Sequence, residues 1–346
     1  MVISRIGYRR SMVAAFMIMA VGMLVFVPSA WAVNFPLFLL ALFIGGIGNT
    51  LLQASVNPYI TIMGPIESAA KRMSMMGISN KLAWWVAPLF LGLFIDLRHV
   101  RLDDVALPFL LVAAILFILG IAVYFAPLPE VAAKGENETD ETAGDSVYAR
   151  KKTSILQFPH LLIGAAAAFF YIGIEILPMA SVIDFAKVTF GDVPNLERFS
   201  VYVTLGLVAG YVFGVFTIPK ILSQKQALVI FSLLGVFATF LLAFSPVEWA
   251  FYCLLLVSFS NSLMWPAIWP LAIADLGRFT KTGASFLVMG IFGGAVIPLL
   301  FGFLVDLGKN ITQTESVNNY QTAYLIMAPC YAFILYFALH GHKIRR

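Results

Sequence analysis

From Ser11 onward, apolar residues do not alternate with polar ones; they continue for long stretches and stop at short polar breaks. Ten such runs are read, at 11–28, 36–63, 72–96, 106–127, 158–184, 198–218, 226–245, 248–274, 282–306 and 320–340. About 18 or more apolar residues are needed for a helix to cross the roughly 30 Å hydrocarbon layer, so each run predicts a transmembrane helix. Barrel strands would alternate, and these runs are continuous. The predicted fold is all-α, that of a polytopic membrane protein. One long polar segment, "PEVAAKGENETDETAGDSVYARKKTS" (129–154), has no apolar periodicity. It divides the chain into an N-terminal helical bundle (1–128, four helices), a linker (129–157) and a C-terminal helical bundle (158–346, six helices).

Composition excludes a soluble domain: the 346 residues are 61% hydrophobic and 12% charged. The net charge of +4 matters less than where the charges fall. If the helices alternate in direction, one side receives 16 of the 22 Lys and Arg, among them Arg9, Arg10, Lys71, Arg72 and Arg345. The other side receives 5, and Lys81 lies inside a helix. The basic side is expected to be cytoplasmic, which puts both termini in the cytoplasm. No nucleic-acid partner follows from this charge pattern. Cys253 and Cys330 lie in apolar helices and read as small buried hydrophobes. The histidines, His99, His160, His340 and His342, lack metal-ligand spacing, so no metal, cofactor or enzymatic site is expected. The linker is too short for an appended signalling domain.

Two passages recur on either side of the linker. "APLFLGLFID" (87–96) matches "IPLLFGFLVD" (297–306), and "NTLLQASVNP" (49–58) matches "NSLMWPAIWP" (261–270). The nearly equal offsets indicate a parallel repeat about an axis along the membrane normal. The first segment, "SRIGYRRSMVAAFMIMAVGMLVFVPSAWA", also has the layout of a secretory signal peptide. The repeat assigns it a helical partner instead. The repeat leaves the first half two helices short of the second, and "SRIGYRR" resembles the basic loop between helices 2 and 3 of the major facilitator superfamily. The resemblance implies a major facilitator fold with about ten of twelve transmembrane helices, the first two being missing.

Within that superfamily the chain resembles the fucose/galactose/glucose proton symporter family. The residues that carry this are "LLQASVNPYITIMGP" (51–65), "KRMSMMGISNKLA" (71–83), "FFYIGIEI" (169–176) and "SNSLMWPAIWPLAIADLG" with "GASFLVMGIFGGAVIPLLFGFLVD" (260–306). The resemblance implies secondary active transport of a neutral hexose by alternating access, coupled to protons, in a monomer surrounded by lipid bilayer. Na+ coupling, a non-transporting sugar sensor and an inactive transporter fragment are the other readings.

Asn49, Gln53 and Asn57 recur every four residues and so share one helix face. Uncharged amides both donate and accept, which suits ligand hydroxyls. The repeat places Asn261, Trp265 and Trp269 at the equivalent positions of the second half, an aromatic stripe that fits the apolar face of a pyranose. Helix packing is the other reading of the same residues. Gln53 and Asn261 are expected to face a common cavity. Tyr171 in "FFYIGIEI" joins the sugar-contacting set, and the resemblance adds Asn80 directly. In fucose-transporting relatives an acidic residue stands at the position of Gln53 and a glutamine at that of Gly77. Gln53 does not titrate, which leaves Glu175 and Lys81, both at membrane depth, as the proton-coupling candidates.

Overall fold

The computed structural model describes residues 2–94, 102–129, 131, 146–191, 193–196 and 198–345. Among the described residues there is no strand. The first bundle consists of α1 (Val2–Trp31), α2 (Phe35–Ile62), α3 (Ala69–Gly92) and α4 (Leu102–Phe125), followed by the single-turn α5 (Ser146–Arg150). The second runs through α6 (Pro159–Phe190), α7 (Arg198–Thr217), α8 (Gln224–Phe244), α9 (Val247–Asn261), α10 (Met264–Ile273), α11 (Thr280–Val288), α12 (Gly293–Thr312), α13 (Val317–Ala323) and α14 (Met327–Leu339). Asp96, His99 and residues 132–145 of the expected linker lie outside the described residues.

Among the described residues, nine helical stretches are long and apolar enough to cross a bilayer. The tenth expected span, 72–96, is α3, a continuous helix whose apolar character is diluted by Lys71, Arg72, Ser74, Asn80 and Lys81. Three spans expected to be single helices are interrupted. The run 248–274 is α9 and α10 with a turn at Ser262–Leu263. Pro266 has no N–H for the carbonyl of Ser262, four residues earlier, and this frees the backbone where the helix breaks. The runs 282–306 and 320–340 each contain a 3₁₀ turn, at Met289–Phe292 and Tyr324–Ile326. Ser262 and Leu263 are fully buried, so the irregular backbone stays inside protein and away from lipid. Gly7 also interrupts α1, with φ 79° and ψ 173°. Open space surrounds it, so the sign of φ is what calls for glycine there.

Large apolar side chains such as Phe35, Phe43, Ile118, Phe216 and Phe244 project outward, as a lipid-facing shell requires. Hydroxyls within the helices donate to the carbonyl one turn earlier, as Ser55 does to Leu51 and Ser74 to Ala70, each at 2.8 Å. In the first bundle α1 packs on α2 and α4; in the second, α6 is the hub that touches α7, α9, α10, α12 and α14. The bundles meet along a seam in which α3 packs against α7 and α10, and α2 against α10 and α11.

At one end of this seam a side chain at the start of α8 bridges the bundles. Gln224 Nε2 donates to the Ile66 carbonyl at 2.6 Å, and its Oε1 accepts from the Ala70 N–H at 3.2 Å. Arg72 stiffens the segment that Gln224 grips, donating to Ile60 O at 2.8 Å, Thr61 O at 2.7 Å and Ser68 Oγ at 2.7 Å.

Candidate functional site

The seam encloses a cavity of about 490 Å³, within the roughly 300–1,000 Å³ typical of small-molecule sites. From α2 it is lined by Asn49, Gln53 and Asn57, from α3 by Gly77, Asn80, Lys81 and Trp84, from α6 by Tyr171 and Glu175, from α7 by Tyr211 and from α10 by Trp265. The four-residue spacing sets the amides of α2 in a row whose exposure falls with depth. Asn49 is exposed, Gln53 half-buried and Asn57 fully buried. Asn57 Nδ2 donates to Gln53 Oε1 at 3.0 Å, while Asn57 Oδ1 is buried without a partner among the described residues. An orphan acceptor at the floor of a cavity is an unmet demand for a donor such as a ligand hydroxyl.

Opposite the amides stand aromatic rings. Tyr171 and Trp265 stack with centroids 6.0 Å apart at 25°, and Trp269 supports Trp265 from behind at 5.1 Å. The Tyr171 hydroxyl is enclosed beside Glu175 and Tyr211, yet makes no well-formed hydrogen bond to protein.

Lys81 Nζ lies 2.9 Å from Glu175 Oε1, with side-chain exposures of 6% and 9%. The two residues belong to different bundles, so the ion pair crosses the seam. Each compensates a charge that would otherwise be costly at this depth. Trp84 flanks the ammonium at 5.8 Å from its ring centroid. Outside the spans, the Glu315 carboxyl lies below its ordinary range because Lys309 and then Tyr320 hydrogen-bond to it.

Asn49, Gln53, Asn57, Asn80, Lys81, Tyr171, Glu175 and Trp265 are therefore brought together. Asn261 and Trp269 are not, which corrects the expectation drawn from the repeat. Asn261 is fully buried: its Nδ2 donates to Ile174 O at 2.8 Å and its Oδ1 accepts from the Tyr331 hydroxyl at 2.6 Å. Both ends of its amide are thus committed to joining helices. Trp269 is fully buried behind Trp265. Sequence reasoning missed Tyr211 and Trp84. The one available signal for Tyr211 was the Gly206, Gly210, Gly214 stripe beside it, which marks a closely packed face of α7.

Two helical bundles enclosing at their seam a cavity of amides, aromatic rings and one ion pair, inside a lipid-facing shell, make the chain a polytopic membrane carrier. Residues 1–298 match the Major Facilitator Superfamily, and the chain belongs to that family of transporters. It is 30% identical over 355 residues to a putative glucose/galactose transporter of Helicobacter pylori, covering 99% of this chain and 83% of that protein. It is 25% identical over 360 residues to the L-fucose-proton symporter of Escherichia coli, covering 96% of this chain and 78% of the symporter. The crystal structure of the Major Facilitator Superfamily transporter FucP in the outward conformation shares the fold. Its TM-score is 0.79 at 23% identity, covering 98% of this chain and 84% of FucP.

Proposed function

We propose that the chain carries a neutral hexose of the glucose, galactose or fucose type across a bacterial inner membrane by alternating access, coupled to protons. The observation that carries this reading is the cavity itself, where uncharged amides face aromatic rings and the charges present, those of Lys81 and Glu175, are joined to each other. Such a lining accepts hydroxyls and an apolar ring face and gives no unpaired charge to an ionic solute. The relatives named for glucose, galactose and fucose transport support the same solute class.

In this reading Asn49, Gln53, Asn57 and Asn80 take the sugar hydroxyls, and Tyr171 and Trp265 take its apolar face. Glu175 and Lys81 couple the cycle. While both are charged they hold α6 and α3 together across the seam. A proton on Glu175 removes the attraction, frees Lys81 and lets the bundle of 1–128 rock against that of 158–346, with 129–157 as the cytoplasmic connection. The seam tied by Gln224 is then the cytoplasmic side, where both termini lie, and one chain suffices for the cycle.

The test uses proteoliposomes containing the full chain and labelled glucose, galactose or fucose. An inward proton gradient is expected to drive accumulation of at least one sugar, and a protonophore to collapse it. Accumulation that follows only a sodium gradient would replace the proton with Na+. No uptake and no exchange of any of the three sugars under either gradient would reject the transport reading.

A further inference from the structure

Gly206, Gly210 and Gly214 recur every four residues and form one face of α7. A Cβ at Gly206 would lie 3.0 Å from the carbonyl oxygen of Leu255, one at Gly210 would lie 2.9 Å from that of Phe259, and one at Gly214 would meet the Leu263 side chain. This face is pressed onto α9 and the turn after it, which sets the rotation of α7 within the second bundle. Tyr211 follows Gly210 and so leaves α7 about 100° further round, across the seam toward α3. There its ring lies on the backbone of Gly77. A Cβ at position 77 would stand 2.7 Å from Tyr211 Cζ and 2.8 Å from Cε1, closer than such atoms approach. Glycine at 77 is what leaves room for the ring, which is 3% exposed.

This contact stands where the cavity ends. From α3 the lining includes Met76, Gly77 and residues beyond them, and from α2 it stops at Asn57, the most buried amide of its row. One turn further toward the Gln224 end, Met73 and Ser74 are fully buried, and a Cβ on Gly214 would lie 3.1 Å from Ser74 Oγ. Another turn on, Ala70 is fully buried and donates its N–H to Gln224. The seam is thus closed from Ser74 to Gln224, and Tyr211 is the α7 side chain at the boundary between that closed part and the cavity. Its ring belongs to the second bundle and its seat to the first. Movement of one bundle against the other makes or breaks the contact.

We propose that Tyr211 seals the floor of the cavity: its ring, seated on the backbone of Gly77, limits how deep a solute sits and shuts the cavity off from the part of the seam held by Gln224. A solute moving in that direction passes only when the bundles carry ring and seat apart. The role in passage rests on the transport reading, while the seal itself does not depend on what is moved. A flat ring with two rotatable bonds suits the task, because it covers a large area at little conformational cost. The seal is made by the ring's body against glycine, so the hydroxyl is dispensable for it.

The test uses the full chain in lipid nanodiscs with Ser74→Cys as reporter, since Ser74 is buried beneath the ring and lies outside the cavity lining. Its reaction with a small charged methanethiosulfonate is read above that of the chain without the reporter, whose own Cys253 and Cys330 are buried. Labelling is expected to be slow with Tyr211 in place. Tyr211→Ala is expected to speed it about tenfold or more, because reagent and water then reach the thiol. Gly77→Ala is expected to speed it as well, by displacing the ring from the opposite bundle. Tyr211→Phe, which keeps the ring, is expected to leave it slow, and so is Gly302→Ala, where an added Cβ meets nothing. If Tyr211→Ala does not fold, Gly77→Ala decides. Slow labelling in every folded variant of those two, or fast labelling of Ser74→Cys with Tyr211 present, overturns the proposal. No sugar enters the measurement, so failure to move any sugar counts against the transport reading and leaves the seal as measured.

Discussion

A lysine that is 5% exposed at membrane depth needs a reason, and for Lys81 the reason is Glu175 at 2.9 Å. Removing one partner strands the other charge, at about 3–5 kcal/mol, whereas replacing both with apolar groups is often close to neutral. Lys81→Met is therefore expected to lower the thermal unfolding midpoint in detergent markedly, and Lys81→Met combined with Glu175→Leu to regain most of it. Equal midpoints for the single and double variants would show that the pair contributes nothing. The amide row was legible in the sequence because residues four apart must share a helix face. Asn261 was misread because a repeat gives the register along an axis and leaves rotation about that axis open. Tyr211 was hidden for another reason: its place depends on the missing side chain of Gly77, on a distant helix, and no local pattern couples the two.

At the scale of the elements, the α2–α3 turn is clamped by Arg72, and α8 reaches it through Gln224 by the hydrogen bonds described. Each bond contributes about 1 kcal/mol net, so Gln224→Ala removes about 2 kcal/mol from the closed end, roughly a 30-fold change in a two-state equilibrium. Spin labels at Glu67 and Ile221 are expected to show a longer distance population in this variant than in the unaltered chain. An identical distribution would mean that the tie does not hold the end shut. The helices themselves were readable because lipid demands unbroken apolar stretches. The break between α9 and α10 was not, since Pro266 signals a kink in either case. Whether the chain bends or opens at Ser262 depends on the protein packed around it.

For the whole molecule, the apolar shell confines charge to the loops, because side chains that meet hydrocarbon carry none. The excess of Lys and Arg expected on one side is a separate signal, and the proposed orientation puts that side in the cytoplasm. A periplasm-dependent phosphatase fused after residue 346 is expected to be inactive, and a fluorescent protein fused there to be bright. The reverse pattern would invert the assignment. Fold class was legible at this scale because composition and run length answer to the solvent alone. The site was legible only in part, because it is assembled from five helices whose mutual rotation the chain does not spell out.

The falling exposure along α2, from Asn49 through Gln53 to Asn57, has a kinetic consequence. An unpartnered hydroxyl moved out of water costs on the order of 1–3 kcal/mol, and a hexose stripped of its hydration all at once would meet the sum of several such terms. Amides spaced one turn apart, each drier than the last, let the proposed hexose exchange water for protein one hydroxyl at a time. Entry then becomes a staircase of small rises in place of a single cliff. The last tread is Asn57 Oδ1, whose own unmet bond is satisfied only on arrival.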